Sequence, residues 1–189
     1  MRIQYFAASL LVAAAVLPAN AETLDVAPGR YAIDSSSQIH FSVGQIGGGG
    51  IEGTFQRFHG VFDLHPKDIG KSTVDFVLNP GSVTAGTPVI ENFLKSGVVF
   101  DVADYPDITF RSTRVTQTGD TTAKIEGTLT AKGHTYPQTF DATLVSAKGS
   151  TLAFHVVGQI RRGYYDMEIG APIYSTVVDL DMVMNGRRQ

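Results

Sequence analysis

Apolar side chains recur at every second position over most of this chain. Ile39, Phe41 and Val43 share one phase, and so do Val74, Phe76 and Leu78. The same holds for Ile108 with Phe110, Ile125 with Leu129, Phe140 with Leu144, Phe154 with Val156, and Val178 with Leu180 and Met182. Polar or small residues such as His40, Ser42, Asp75, Thr109, Arg111, Thr128, Asp141, His155 and Asp179 fill the other phase. A period of two describes strands with one buried and one solvated face. Turn signals separate the runs at Asn79-Pro80-Gly81, Thr118-Gly119-Asp120, Lys132-Gly133-His134 and Lys148-Gly149-Ser150. Such gaps suit hairpins, so neighbouring strands are expected to be antiparallel.

The pattern predicts eight or nine strands, near 30–46 (as one strand or as two joined by a bend), 51–64, 72–78, 107–116, 122–132, 135–147, 151–162 and 174–184. Long strands with one apolar phase either stack as a sandwich or close into a barrel, and about eight strands enclose room for one ligand. Gly44, Gly47 to Gly50 and Gly53 are expected to bend or bulge the chain. The glycine run lacks the Lys-Ser/Thr ending of a phosphate loop. One short helix is expected, with Thr87 as N-cap, Pro88 first, an Ile90-Phe93-Leu94 stripe, and Gly97 near the C-cap. With Val98-Val99-Phe100 it reads as a lid or plug at one end.

The first 21 residues read as a cleaved export signal. Arg2 is followed by an apolar run from Tyr5 to Leu17, then Pro18 and the Ala19-Asn20-Ala21 cleavage pattern. Residues 22–189 suit one domain. No other segment is apolar and long enough for a membrane helix, and without cysteine there is no disulfide or lipid anchor at a cysteine. An exported, soluble protein with no stable membrane insertion is therefore expected. The formal net charge is −3, and losing Arg2 makes the chain more acidic, which argues against a nucleic-acid partner.

Few residues suggest reaction chemistry. His40, His59, His65, His134 and His155 show no metal-ligand spacing, so no metal site is expected. Asp101, Asp104 and Asp107 fit turn-building better than a calcium loop. No G-x-S-x-G elbow occurs, and no catalytic residue or cofactor is expected. The apolar phase is rich in aromatics, which describes either a filled core or the wall of a cavity. Arg161 and Arg162 precede Tyr164 and Tyr165, as a solvated strand end or as an inward cation matched to phosphate.

Several phrases occur together in one order. They are Tyr31-x-Ile33-Asp34 with Ile39-x-Phe41-Ser42-Val43; Gly53-x-Phe55-x-x-Phe58-x-Gly60; Phe93-Leu94-Lys95-Ser96; Phe100-Asp101-Val102 with Tyr105-Pro106-x-Ile108-x-Phe110; Gly127-x-Leu129-Thr130-x-x-Gly133; and Ile160 to Met167. In this the chain resembles the YceI-like family of bacterial exported proteins. It departs at Gln45, where the family often has a basic residue, and at Val98-Val99, where Asp-Phe is usual. The resemblance implies an all-β, elongated, antiparallel eight-stranded lipocalin-like barrel with one short helix. It also implies periplasmic binding of an isoprenoid lipid, either a polyprenyl phosphate or a quinone, and a homodimer. The ligand-binding residues expected on this basis are Phe41, Phe55, Phe76, Phe93, Phe100, Phe110, Leu129, Phe140, Phe154, Arg161, Arg162 and Tyr164. Carriage or storage of the lipid, an isomerase or cyclase acting on a similar substrate, and a ligand-free interaction module are the three readings carried forward.

Overall fold

The computed structural model describes residues 23, 24 and 28–189. The expected export signal lies outside the described residues. In chain order the elements are β1 (Gly29–Ile33), β2 (Gln38–Gly44), β3 (Gly50–Phe55), β4 (Phe58–Leu64), β5 (Thr73–Leu78), β6 (Val83–Thr84), α1 (Pro88–Lys95), β7 (Ile108–Gln117), β8 (Thr122–Ala131), β9 (His134–Lys148), β10 (Thr151–Arg161) and β11 (Val177–Arg188).

These strands form eight staves of one closed antiparallel barrel, because β1–β2, β3–β4 and β5–β6 are each a single stave with a break. The last strand, β11, holds both halves of the first stave. Its middle pairs with β2, as Leu180 with Phe41, and its end pairs with β1, as Arg188 with Tyr31. That second pairing closes the sheet and leaves no free edge there. The run 30–46 divides in two, one of the two forms expected, whereas 51–64, expected as continuous, is interrupted. Between β1 and β2 the Ser36 amide donates to the Asp34 carboxylate at 2.9 Å, which holds that carboxyl below its usual range. Between β3 and β4 the amides of Gln56 and Arg57 donate to Ser82 Oγ at 3.2 and 2.9 Å. At the β3–β4 break a hydroxyl from a neighbouring stave thus takes the place of ladder bonds, which is why alternation alone ran through it.

The expected strand 174–184 starts at Val177 and runs four residues further, to Arg188. The run Gly47 to Gly50 has positive φ throughout and makes the β2–β3 turn. Gly53 neither bends nor bulges the chain; it sits in register opposite Phe41. The helix starts as expected, with Thr87 Oγ1 accepting from the Ile90 amide. Its C-cap is Ser96 rather than a glycine, and the Ser96 hydroxyl donates to Phe93 O at 2.6 Å.

The two barrel ends differ. At one, Leu24, Tyr31, Phe62, Val115, Ala123, Leu144 and Leu152 pack together, with the Tyr31 and Phe62 rings stacked at 5.1 Å. At the other lie the β2–β3 turn, α1 with residues 96–107, the β8–β9 hairpin, and the segment 162–176 joining β10 to β11.

Candidate functional site

The inward phase of the staves surrounds a cavity of about 640 Å³. This lies within the ordinary range for small-molecule sites. Phe41, Phe55, Phe76, Phe110, Leu129, Phe140 and Phe154 line it from seven staves, and Phe93 and Phe100 line it from α1 and the residues that follow. From Val178 to Met184 the cavity follows β11 for roughly 20 Å of strand. Among the described residues its wall contains no His, Asp, Glu, Lys or Cys.

Alternation could not tell a filled barrel from an open one. The difference lies in where the rings rest. Phe110 lies over Gly127 of the next strand, and a Cβ there would stand 2.6 Å from its ring. Phe140 covers Gly158, Phe41 covers Gly53 and Phe62 covers Gly186 in the same manner. Each ring occupies the space of a missing side chain and lies against the wall. The rings then meet edge to face, Phe110 with Phe140 at 5.1 Å and Phe55 with Phe100 at 5.8 Å. Such contacts add about 0.5–1.5 kcal/mol beyond burial. They fix the wall and leave the bore clear.

Sequence reasoning missed several liners, among them Ile51, Phe62, Ala142, Ile160, Tyr165, Met167 and Met184. Most share the inward phase already visible in the alternation. Tyr165 and Met167 come instead from the segment 162–176, where no period exists. Three methionines, Met167, Met182 and Met184, give the wall polarizable, adaptable surface.

The basic pair divides. Along β10, Phe154, Val156, Gly158 and Ile160 set the inward phase, so Arg162 follows them in and Arg161 points out. Arg161 and Tyr164 lie on the outer surface and do not line the cavity. Tyr164 stacks on Tyr136 at 4.8 Å. Of Arg161, Arg162 and Tyr164, all expected to bind ligand, the cavity wall includes Arg162.

Arg162 is 7% exposed and lines the cavity beside the segment 162–176. Its Nε donates to Ser175 O at 2.6 Å, its Nη1 to Met167 O and to Ile169 O (3.0 Å), and its Nη2 to Tyr174 O at 3.1 Å. Four of the five guanidinium N–H groups are thus spent on main-chain carbonyls. Burial pulls Arg162 below the ordinary arginine value, and the Glu168 carboxylate acts against that. Beside it, Tyr165 is almost fully buried, and its hydroxyl donates to Leu129 O at 3.5 Å. Burial pushes that phenol up to about 12.

A closed eight-stranded lipocalin-like barrel around an apolar cavity defines the class of protein. The YceI-like domain family model matches residues 31–185, and the chain belongs to that family. It is 31% identical over 194 residues to a UPF0312 protein of Vibrio campbellii, covering 98% of each. It is 29% identical over 168 residues to Protein YceI of Salmonella arizonae, covering 85% of this chain and 87% of that one. Among solved structures, Burkholderia cenocepacia BcnA superposes with a TM-score of 0.75 at 22% identity, over 81% of this chain and 98% of that one. A polyisoprenoid binding domain from Saccharophagus degradans, implicated in plant cell wall breakdown, gives 0.69 at 16% identity, over 84% and 98%. At these identities the two structures share the fold. No described helix is long and apolar enough to cross a membrane, and no described cluster of three or more His, Cys, Asp or Glu could hold a metal ion.

Proposed function

We propose that this protein binds an isoprenoid lipid in its cavity and carries or stores it in the periplasm after export. The observation that carries the reading is the cavity itself: about 640 Å³, long, and walled by aromatic and aliphatic side chains from every stave. Apolar burial contributes about 25 cal/mol per Å², so a prenyl tail binds there without polar contacts. The Saccharophagus domain of the same fold, described as polyisoprenoid binding, supports the ligand class. A binding role is preferred to an isomerase or cyclase because the wall offers Arg162 and buried Tyr165 but no carboxylate or imidazole to move a proton.

The head group follows from Arg162. With one N–H left, the guanidinium has no bidentate fork for phosphate, so it serves one acceptor oxygen. A quinone carbonyl fits that as well as a phosphate does, and the tail carries the affinity. Native mass spectrometry of protein purified from its own host is expected to show a co-purifying prenyl lipid. After delipidation, a quinone, a prenol and a prenyl phosphate of equal tail length are expected to bind within about tenfold of one another. An empty barrel that takes up none of the three overturns the proposal. A preference for the phosphate of more than about a hundredfold overturns the head-group reading alone.

A further inference from the structure

Exposed apolar side chains are not spread evenly over this barrel. Among the described residues twelve large apolar or aromatic side chains are exposed, and nine of them sit at the end that carries α1. Ile46 occupies the β2–β3 turn, Val89, Phe93 and Val98 lie on α1 and just after it, and Ile169 and Ile173 lie in the segment 162–176. The Ile46 amide donates to Ile173 O at 3.0 Å, tying two of these loops together. Tyr105, Tyr136 and Tyr164 stand on the outer wall of the same end. The opposite turns, at 65–72, 118–121 and 149–150, carry none of the twelve.

This apolar end is continuous with the cavity. Val89 (79% exposed), Phe93 (41%) and Ile169 (50%) are at once surface residues and cavity liners. Apolar surface therefore runs without interruption from the outside of the molecule to the inner wall. We propose that this end is a docking surface for a lipid bilayer, entered by the loop tips, so that an apolar cargo passes between bilayer and cavity without crossing water.

Three observations favour a bilayer over a protein partner or a second copy. The surface consists of tips from separate loops around an opening, where apolar side chains can enter a fluid phase independently. Tyrosines flank it, as side chains with an apolar body and a polar end do at membrane–water interfaces. The charges nearby are mixed but mostly acidic, Lys95, Lys132 and Arg161 against Glu91, Asp101, Asp104, Asp107, Asp166 and Glu168, which disfavours an anionic lipid or acidic protein face and leaves a zwitterionic bilayer surface. Leu24 lies at the other end, where its amide donates to Asp120 O at 3.0 Å.

The inference rests on the cavity taking a lipid, and the test separates the two. Phosphatidylcholine vesicles are sedimented with the full protein and with Ile46→Glu/Val98→Glu/Ile173→Glu, three exposed positions that do not line the cavity. Val145→Glu/Val183→Glu, on the barrel wall away from the loops, is the control. The wild type and the control are expected to sediment with the vesicles, also in about 0.5 M NaCl, where coulombic attraction is screened. The triple variant is expected to lose at least about tenfold in partitioning, while its binding of a detergent-solubilised prenyl lipid stays unchanged. Absence of wild-type vesicle binding, equal binding by the triple variant, or loss of binding in salt overturns the docking surface. So does self-association without vesicles that the triple variant abolishes, which assigns the end to a second copy. Failure of lipid uptake in detergent strikes the proposed cargo instead.

Discussion

At the residue scale two buried polar groups at the loop end define what can be tested. Arg162 ties residues 167, 169, 174 and 175 by their carbonyls. A lysine there has the charge but lacks the planar fork, and leaves buried carbonyls unpaired. Arg162→Lys is expected to lower stability by about 2–3 kcal/mol in urea titration; an unchanged midpoint would mean the carbonyls find other partners. Tyr165 provides a pH signature. Its folded value, about 12, lies above the ordinary 10.0. Below pH 10 the phenol is neutral in both states and contributes nothing pH-dependent. Between about 10 and 12 only the unfolded chain ionises, so stability falls with rising pH, by at most about 1.4 kcal/mol per unit. Tyr165→Phe is expected to flatten that part of the profile while costing little below pH 9. A slope that persists in the variant assigns the effect to another group. The inward direction of Arg162 was legible from the parity of β10; its four carbonyl partners were not, because they come from a segment without periodicity.

At the element scale the wall depends on strand pairs that place a ring over a glycine. Gly158→Ala puts a Cβ against the Phe140 ring and drives it toward the bore and Phe110. The expected cost is about 1–3 kcal/mol, with a fall in lipid capacity. Phe140→Leu in the same chain is expected to restore part of the stability. If Gly158→Ala binds lipid as the wild type does, the rings do not set the bore. The helix was readable from Thr87 and Pro88, since its cap is local. Its place at one end of the barrel, with Phe93 and Phe100 facing the cavity, was also expected; Ile90, Leu94 and Val99 join them there. Hydrogen exchange over residues 87–101 is expected to slow when a prenyl lipid binds, because this cover is a short helix and a loop outside the strand ladder. Identical exchange at saturation would make the segment fixed structure and not a gate.

At the scale of the whole molecule ligand and fold are linked. A lipid that binds only the closed barrel stabilises it by RT ln(1 + [L]/Kd), about 2.7 kcal/mol at a hundredfold excess over Kd. Delipidated protein is therefore expected to unfold at lower urea than protein refilled with lipid, with the shift growing logarithmically with ligand. An unfolding midpoint indifferent to lipid would mean that the folded barrel does not bind it.

The sequence by itself determined the strands, the face each one buries and the capped helix. All are set by neighbours along the chain, through period-two alternation and local hydrogen bonds. The phrases from Tyr31 to Met167 were enough to point to the family, because several weak signals in one order are specific together. Only the tertiary structure decided the breaks in three staves, the closure of β1 on β11, and the open bore. Each of these depends on residues far apart in the chain, such as Ser82 with Arg57, Tyr31 with Arg188 and Phe110 with Gly127. By strand propensity alone Gly127 and Gly158 are weak positions. Folded against Phe110 and Phe140, they give the rings a place in the wall and leave the middle of the barrel open.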